Sequence, residues 1–227
     1  MTPEIPFWIE ILFGFTTLLT VVWFYILNPS RSYAIIMGVW LALQAYLAIR
    51  MTYLDFEALP PKVMLFGLFP AILAIVLIFL TKAGRKYADG FSVRKLTLLH
   101  IIRVPVELVL AGLYHAGGVS VLMTYEGTNF DILSGLTAPI IAWVAFSHGI
   151  VKYKLLIIWN IIAILLLLNV VITAIFSFPT PFQLLAFDQP NISVLTYPYV
   201  WLPTVVVPLV FASHFIALRK LIRKNVT

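Results

Sequence analysis

Cysteine is absent from this 227-residue chain. That removes disulfides, thiolate metal sites, iron–sulfur clusters and thiol nucleophiles together. Charge is scarce too. Asp, Glu, Lys and Arg make up 11% of the residues, against about 25% in an ordinary soluble domain. A chain so poor in charge cannot cover a water-facing surface, and a soluble core of this size cannot absorb the 62% that is hydrophobic. A soluble globular protein, a disordered chain and a nucleic-acid-binding domain are therefore excluded. The net charge of +6 reads first as membrane topology. There is no Walker motif, no GxSxG and no GxGxxG, and the last apolar segment has no central lysine for a retinal-type Schiff base. The N-terminus, Met1-Thr2-Pro3-Glu4-Ile5, lacks the positive start of a signal peptide. The first apolar segment is expected to stay as a membrane helix.

What is present is apolar sequence in blocks. A membrane-spanning helix needs about 20 mostly apolar residues. Seven segments qualify, near 6–27, 32–50, 63–81, 96–117, 132–151, 155–178 and 195–218. The fold expected is all-α: one seven-helix transmembrane bundle over residues 1–227, with no separate soluble domain. Twelve of the fifteen basic residues fall after the first, third, fifth and seventh segments, at Arg31, Lys82, Arg85, Lys86, Arg94, Lys95, Lys152, Lys154, Arg219, Lys220, Arg223 and Lys224. Positive loops stay in the cytoplasm. The N-terminus is therefore expected outside and the C-terminus inside. Prolines 70, 105, 139, 203 and 208 fall within spans, where each frees a backbone carbonyl and can kink its helix.

Ionisable groups in hydrocarbon cost about 2.5–3.5 kcal/mol each on insertion scales, so each is a functional hypothesis by default. The fourth span carries His100, Arg103 and Glu107 within about 60° of one another on a helical wheel. Tyr114 continues the stripe and His115 sits at its edge. This face is expected to look into the bundle, either as an Arg103–Glu107 pair that fixes packing or as a polar pathway for a substrate or proton. A second set, His100, His148 and His214, lies at a common depth near the cytoplasmic end. Its convergence would build a metal or haem site, although no HExxH spacing supports one. The loops 123–131 and 186–191 mix acids, amides and aromatics. Glu126, Asn129, Asp131, Asp188 and Asn191 are read there as outer-loop residues that cap a cavity or satisfy one another's backbone.

Several stretches carry a resemblance. HIIRVPVE at 100–107, MTYEGTNFDILSGLTAPIIAW at 123–143, Trp159-Asn160, PFQLLAFDQPN at 181–191 and WLPTVVVPLVFASH at 201–214 resemble a group of small bacterial inner-membrane proteins of unknown function. The resemblance covers roughly the second half of the chain. It implies a seven-helix protein of the bacterial inner membrane and carries no activity and no site residue with it.

The function these residues point to is a small-solute or ion transporter or binder, open to proton coupling, with its polar site on the fourth span and a lipid bilayer around it. Two alternatives stay open. One is a membrane enzyme or electron-transfer subunit with a histidine-ligated metal or haem. The other is a non-catalytic assembly or sensor subunit, whose basic loops would meet anionic lipid or a partner subunit.

Overall fold

The computed structural model describes residues 4–224, apart from the side chain of His148. Every regular element among them is helical. The helices are α1 (Phe7–Leu27), α2 (Arg31–Ile49), α3 (Phe69–Leu80), α4 (Lys82–Asp89), α5 (Val93–Leu99), α6 (Arg103–His115), α7 (Ile132–Val144), α8 (Tyr153–Phe176) and α9 (Val207–Ile222). Two π-helical turns, Met64–Leu68 and Leu202–Val206, lead into α3 and α9, and a 3-10 turn, His100–Ile102, joins α5 to α6. Five continuous stretches are long and apolar enough to cross a membrane: α1, α2, Val93–His115, α8 and Leu202–Ile222. Met64–Leu80 with α4 makes a sixth if that bent pair is one broken span. Ile35, Ile36 and Val39 on α2, and Ile158, Ile162 and Leu165 on α8, face outward. Such apolar faces suit lipid rather than water. The architecture is that of an all-helical, multi-pass membrane protein.

The first, second, third and sixth expected spans agree with the observed helices within a few residues. The other three shift. The fourth starts earlier, at Val93, and carries the 3-10 turn at its polar centre. The seventh starts at Leu202, because 193–200 forms a 3-10 turn and irregular backbone. The fifth shrinks to the 13 residues of α7, about 20 Å of helix at 1.5 Å per residue.

The short α7 is explained by where its N-terminus lies. A Cβ on Gly135 would come 2.9 Å from Val104 Cγ2 and 3.1 Å from the Val104 backbone nitrogen. The first turn of α7 therefore packs on the start of α6, and α7 continues beside the 3-10 turn and α5. Its N-terminus sits inside the bundle. The upper half of α6 is covered instead by a 3-10 turn, Val121–Met123, and irregular chain around it, with Ser120, Met123, Thr124 and Asn129 all buried. Non-helical backbone at this depth is tolerated only where protein satisfies it.

Prolines set a similar demand. Pro208 cannot donate to the Thr204 carbonyl, nor Pro70 to the Phe66 carbonyl, four residues back. Trp40 Nε1 donates to the first at 2.9 Å, and Gln44 Nε2 to the second at 3.0 Å. Tyr53 Oη in turn donates to Gln44 Oε1 at 2.6 Å. Side chains of α2 thus repair both π turns. These two prolines are built into the packing, and the two turns they shape rest on each other.

The chain turns 86° between α3 and α4. Gly84 allows this corner, since a Cβ there would lie 2.6 Å from the Ile78 backbone. Arg85 donates to the carbonyls of Phe79 and Leu80 at the end of α3. At the far end of α4, Arg219 bonds Asp89 through two nitrogens and holds its carboxyl below the usual carboxylate range. Lys220 donates to the carbonyls of Asp89 and Phe91. Asn28 Nδ2 donates to the Tyr87 carbonyl at 2.8 Å, which brings the α1–α2 turn to the same end. At the opposite end, the Ser120 amide donates to Asn191 Oδ1 at 2.8 Å and the Ser193 amide to the Gly118 carbonyl at 2.9 Å.

Candidate functional site

The polar face of α6 does turn inward. Arg103 and Glu107 are 3% and 2% exposed, and His100 is fully buried. Their partners differ from the i,i+4 pairing expected between Arg103 and Glu107. Arg103 Nη1 donates to Asp131 Oδ1 at 2.6 Å and to the Ala163 carbonyl at 3.2 Å. Its Nη2 donates to His214 Nε2 at 2.6 Å. Asp131, the residue before α7, reaches Arg103 because α7 begins inside the bundle. The guanidinium is therefore held from the residue that leads into α7 and from two helices, α8 and α9.

Glu107, one turn further along α6, accepts from Asn129 Nδ2 through Oε1. Asn129 Nδ2 also donates to the Met123 carbonyl, and its Oδ1 accepts the Asp131 amide. Glu107 Oε2 is buried and has no hydrogen-bond partner among the described residues. Asn129 and Asp131, expected in an outer loop, are buried parts of this cluster. They are polar because the interior needs them.

The protonation pattern of the histidines follows from their neighbours. Arg103 has only donors, so His214 Nε2 accepts and its proton sits on Nδ1. Nδ1 then donates to Asn160 Oδ1 at 2.7 Å, while Asn160 Nδ2 donates to the Leu156 carbonyl. Ser213 Oγ donates to the Val210 carbonyl at 2.7 Å and so accepts from His100 Nε2 at 3.2 Å. The two imidazoles stack at 3.9 Å between centroids, with Trp159 against both. His214 has no free lone pair to offer a metal in this arrangement. His100 keeps one, on Nδ1. His148, third member of the proposed metal or haem set, has its side chain outside the described residues. Among the described residues no group of three or more metal-binding side chains occurs.

The remaining candidates lie elsewhere. His115 pairs with Glu126 at 3.2 Å on the surface, where such a pair contributes little. The Tyr114 carbonyl accepts from Gln189, and Asp188 is exposed. Asn191 is fully buried but serves the Ser120 amide. None of these five joins the Arg103 cluster. The residues that do join it and were not singled out for it are Ser213, Asn160 and Trp159. Asn160 had a visible signal, as an amide inside an apolar helix, though nothing in the spacing named its partner.

A cavity of about 120 Å³ adjoins the cluster. Glu107 and Asp131 lie in its wall, and the rest of the lining is apolar, with no basic side chain. The sequence profile of a family described as a domain of unknown function, DUF8737, matches residues 60–222. The chain belongs to this family. The matched stretch holds α3 to α9 and so every residue of the cluster. No curated protein and no solved structure matches the chain.

Proposed function

We propose that this DUF8737 protein is a membrane-embedded binder and transporter of a small solute, coupled to proton movement at Glu107. The observation that carries it is the Glu107 carboxylate, 2% exposed, with one oxygen unpartnered, in the wall of a cavity. The cluster holds one guanidinium and two carboxyl groups. With both carboxylates ionised it has an excess negative charge, which a proton or a cationic solute must balance in a low-dielectric site. Arg103 and Asp131 neutralise each other at 2.6 Å, so Glu107 is the group free to exchange. His214 and Asn160 continue the hydrogen-bond chain behind Arg103, and His100 stacks on His214.

The test is proton movement in liposomes loaded with pyranine. Addition of Na⁺, K⁺, choline or short alkylammonium salts is expected to drive lumenal pH change for at least one of these cations, beyond that of protein-free liposomes. Glu107→Gln is expected to remove it while the protein keeps its unfolding midpoint. Proton movement unchanged in Glu107→Gln, or absent with every cation, would rule the reading out.

We further propose that the chain crosses the bacterial inner membrane seven times, with α7 and the 3-10 turn after it as the short fifth crossing. The N-terminus is then outside and the C-terminus in the cytoplasm. The distribution of basic residues supports this, as do the contacts among the loops at each end. A cysteine-free chain makes the test direct, because each introduced thiol is unique. Asp188→Cys is expected to react with an impermeant maleimide on intact cells, and Arg223→Cys only after permeabilisation. The reverse pattern overturns the orientation.

A further inference from the structure

The cavity beside Glu107 has a shape and chemistry that select its occupant. Its lining combines Leu68 and Ile72 from the α3 side, Leu110 from α6, Val171 from α8 and Phe211 from α9 with the two acids. Ile72 is more than half exposed, so the cavity is continuous with the outer apolar surface. The helices explain the opening. α3 and α8 each pack on α9 and make no comparable contact with each other. The space between them leads from the outward apolar face to Glu107. An occupant can therefore enter sideways, from among lipid chains, without crossing the polar loops.

Three features of the cavity restrict that occupant. Its wall is apolar apart from the two acids, so most of the ligand is hydrocarbon. Both polar groups are acceptors or acids, and no basic side chain lines it, so a carboxylate or phosphate head has no donor to meet and would face two like charges. Arg103 is not part of the lining: its Nη atoms bond Asp131, Ala163 and His214, and its buried Nε, without a partner among the described residues, lies outside the cavity wall. The Glu107 Oε2, buried and unpartnered, takes an N–H donor, and the excess negative charge of the cluster favours a cation over a neutral hydroxyl. The volume is of the same order as the roughly 150 Å³ cavity that holds benzene. It therefore fits the head and first few carbons, with the rest of the chain along the opening.

We infer that the solute class of this site is a lipophilic monocation, an alkylammonium whose N–H donates to Glu107 and whose chain lies in the cleft between α3 and α8. This rests on the transport reading above and deepens it. The ammonium takes the place of the proton at Glu107, while Arg103 and Asp131 keep each other and the stacked His100 and His214 are untouched.

The experiment uses the full-length protein in nanodiscs, with thermal unfolding followed in the presence of octylammonium, 1-octanol or octanoate at equal membrane loading. Octylammonium is expected to raise the unfolding midpoint by on the order of 5 °C at saturation. Octanoate is expected to give no rise, and 1-octanol a clearly smaller one. Two variants check the place. Glu107→Gln removes the charge, and Val171→Trp fills the cleft without touching the acids. The octylammonium shift is expected to vanish in both. Should Glu107→Gln fail to fold, Val171→Trp alone decides. An equal shift with 1-octanol overturns the choice of a cation. A shift that survives Val171→Trp, or no shift at all, overturns the site. If octylammonium fails here while Na⁺, K⁺ or choline drives Glu107-dependent proton movement, the ligand class falls and the transport reading stands.

Discussion

Asp131→Ala is expected to destabilise the protein by about 3–5 kcal/mol, because it leaves a buried guanidinium without its counter-charge. Arg103 is 3% exposed and Asp131 6%, so neither can recruit water cheaply. The remaining partners of Arg103 are the Ala163 carbonyl and His214 Nε2, both neutral. The double variant Arg103→Met with Asp131→Leu separates charge from contact. Replacing a buried pair by apolar side chains of similar size is often neutral or stabilising, so the double variant is expected to recover most of the loss. Thermal or denaturant unfolding in mild detergent, followed by tryptophan fluorescence, reads both. A double variant as unstable as Asp131→Ala would mean that the pair holds α7 by shape and hydrogen-bond geometry rather than by charge compensation.

The same pair shows what hydropathy can and cannot reveal. Long apolar runs such as α1, α2 and α8 announce themselves, because a 20-residue window measures the composition that lipid contact demands. The inward face of α6 was legible for a related reason. His100, Arg103 and Glu107 share one side of a helix whose other side is apolar, and charge in hydrocarbon must turn inward. The partner of Arg103 was not legible. Spacing favours Glu107, four residues on, but spacing describes only neighbours on one helix. Asp131 wins because the chain dips into the bundle between 123 and 131 and starts α7 there. A polar loop that descends into protein and a polar loop that stays in water have the same composition. That is why Asn129 and Asp131 read as outer residues. It is also why the fifth span read as seven residues longer than α7: the window ran past the helix end into the Ser147–Gly149 turn. The repair of Pro70 and Pro208 by Gln44 and Trp40 was out of reach in the same way, since a side chain from another helix makes each bond.

The histidine stack yields the second large effect. His214→Ala removes the acceptor for Arg103 Nη2 and the donor for Asn160 Oδ1, and leaves space beside His100. An unsatisfied buried hydrogen-bonding group costs about 1–3 kcal/mol, more when charged, so a loss of about 2–4 kcal/mol is expected once the cavity is included. His214→Gln keeps an acceptor carbonyl in reach of Arg103 and is expected to fall between wild type and His214→Ala. Equal losses in the two variants would mean that ring packing against His100 and Trp159 matters, and the Arg103 bond does not. Nitrogen NMR of imidazole-labelled protein checks the chemistry behind this. His214 is expected as the neutral Nδ1–H form, because a guanidinium can only donate to Nε2. His100 is expected as the Nε2–H form, because the Ser213 hydroxyl proton is committed to the Val210 carbonyl. The His214 Nε2 lone pair is taken by Arg103, so a metal shared with His100 would have to displace that bond. A His214 resonance showing Nε2 protonated would overturn the Arg103 bond and reopen a histidine-ligated centre with His100.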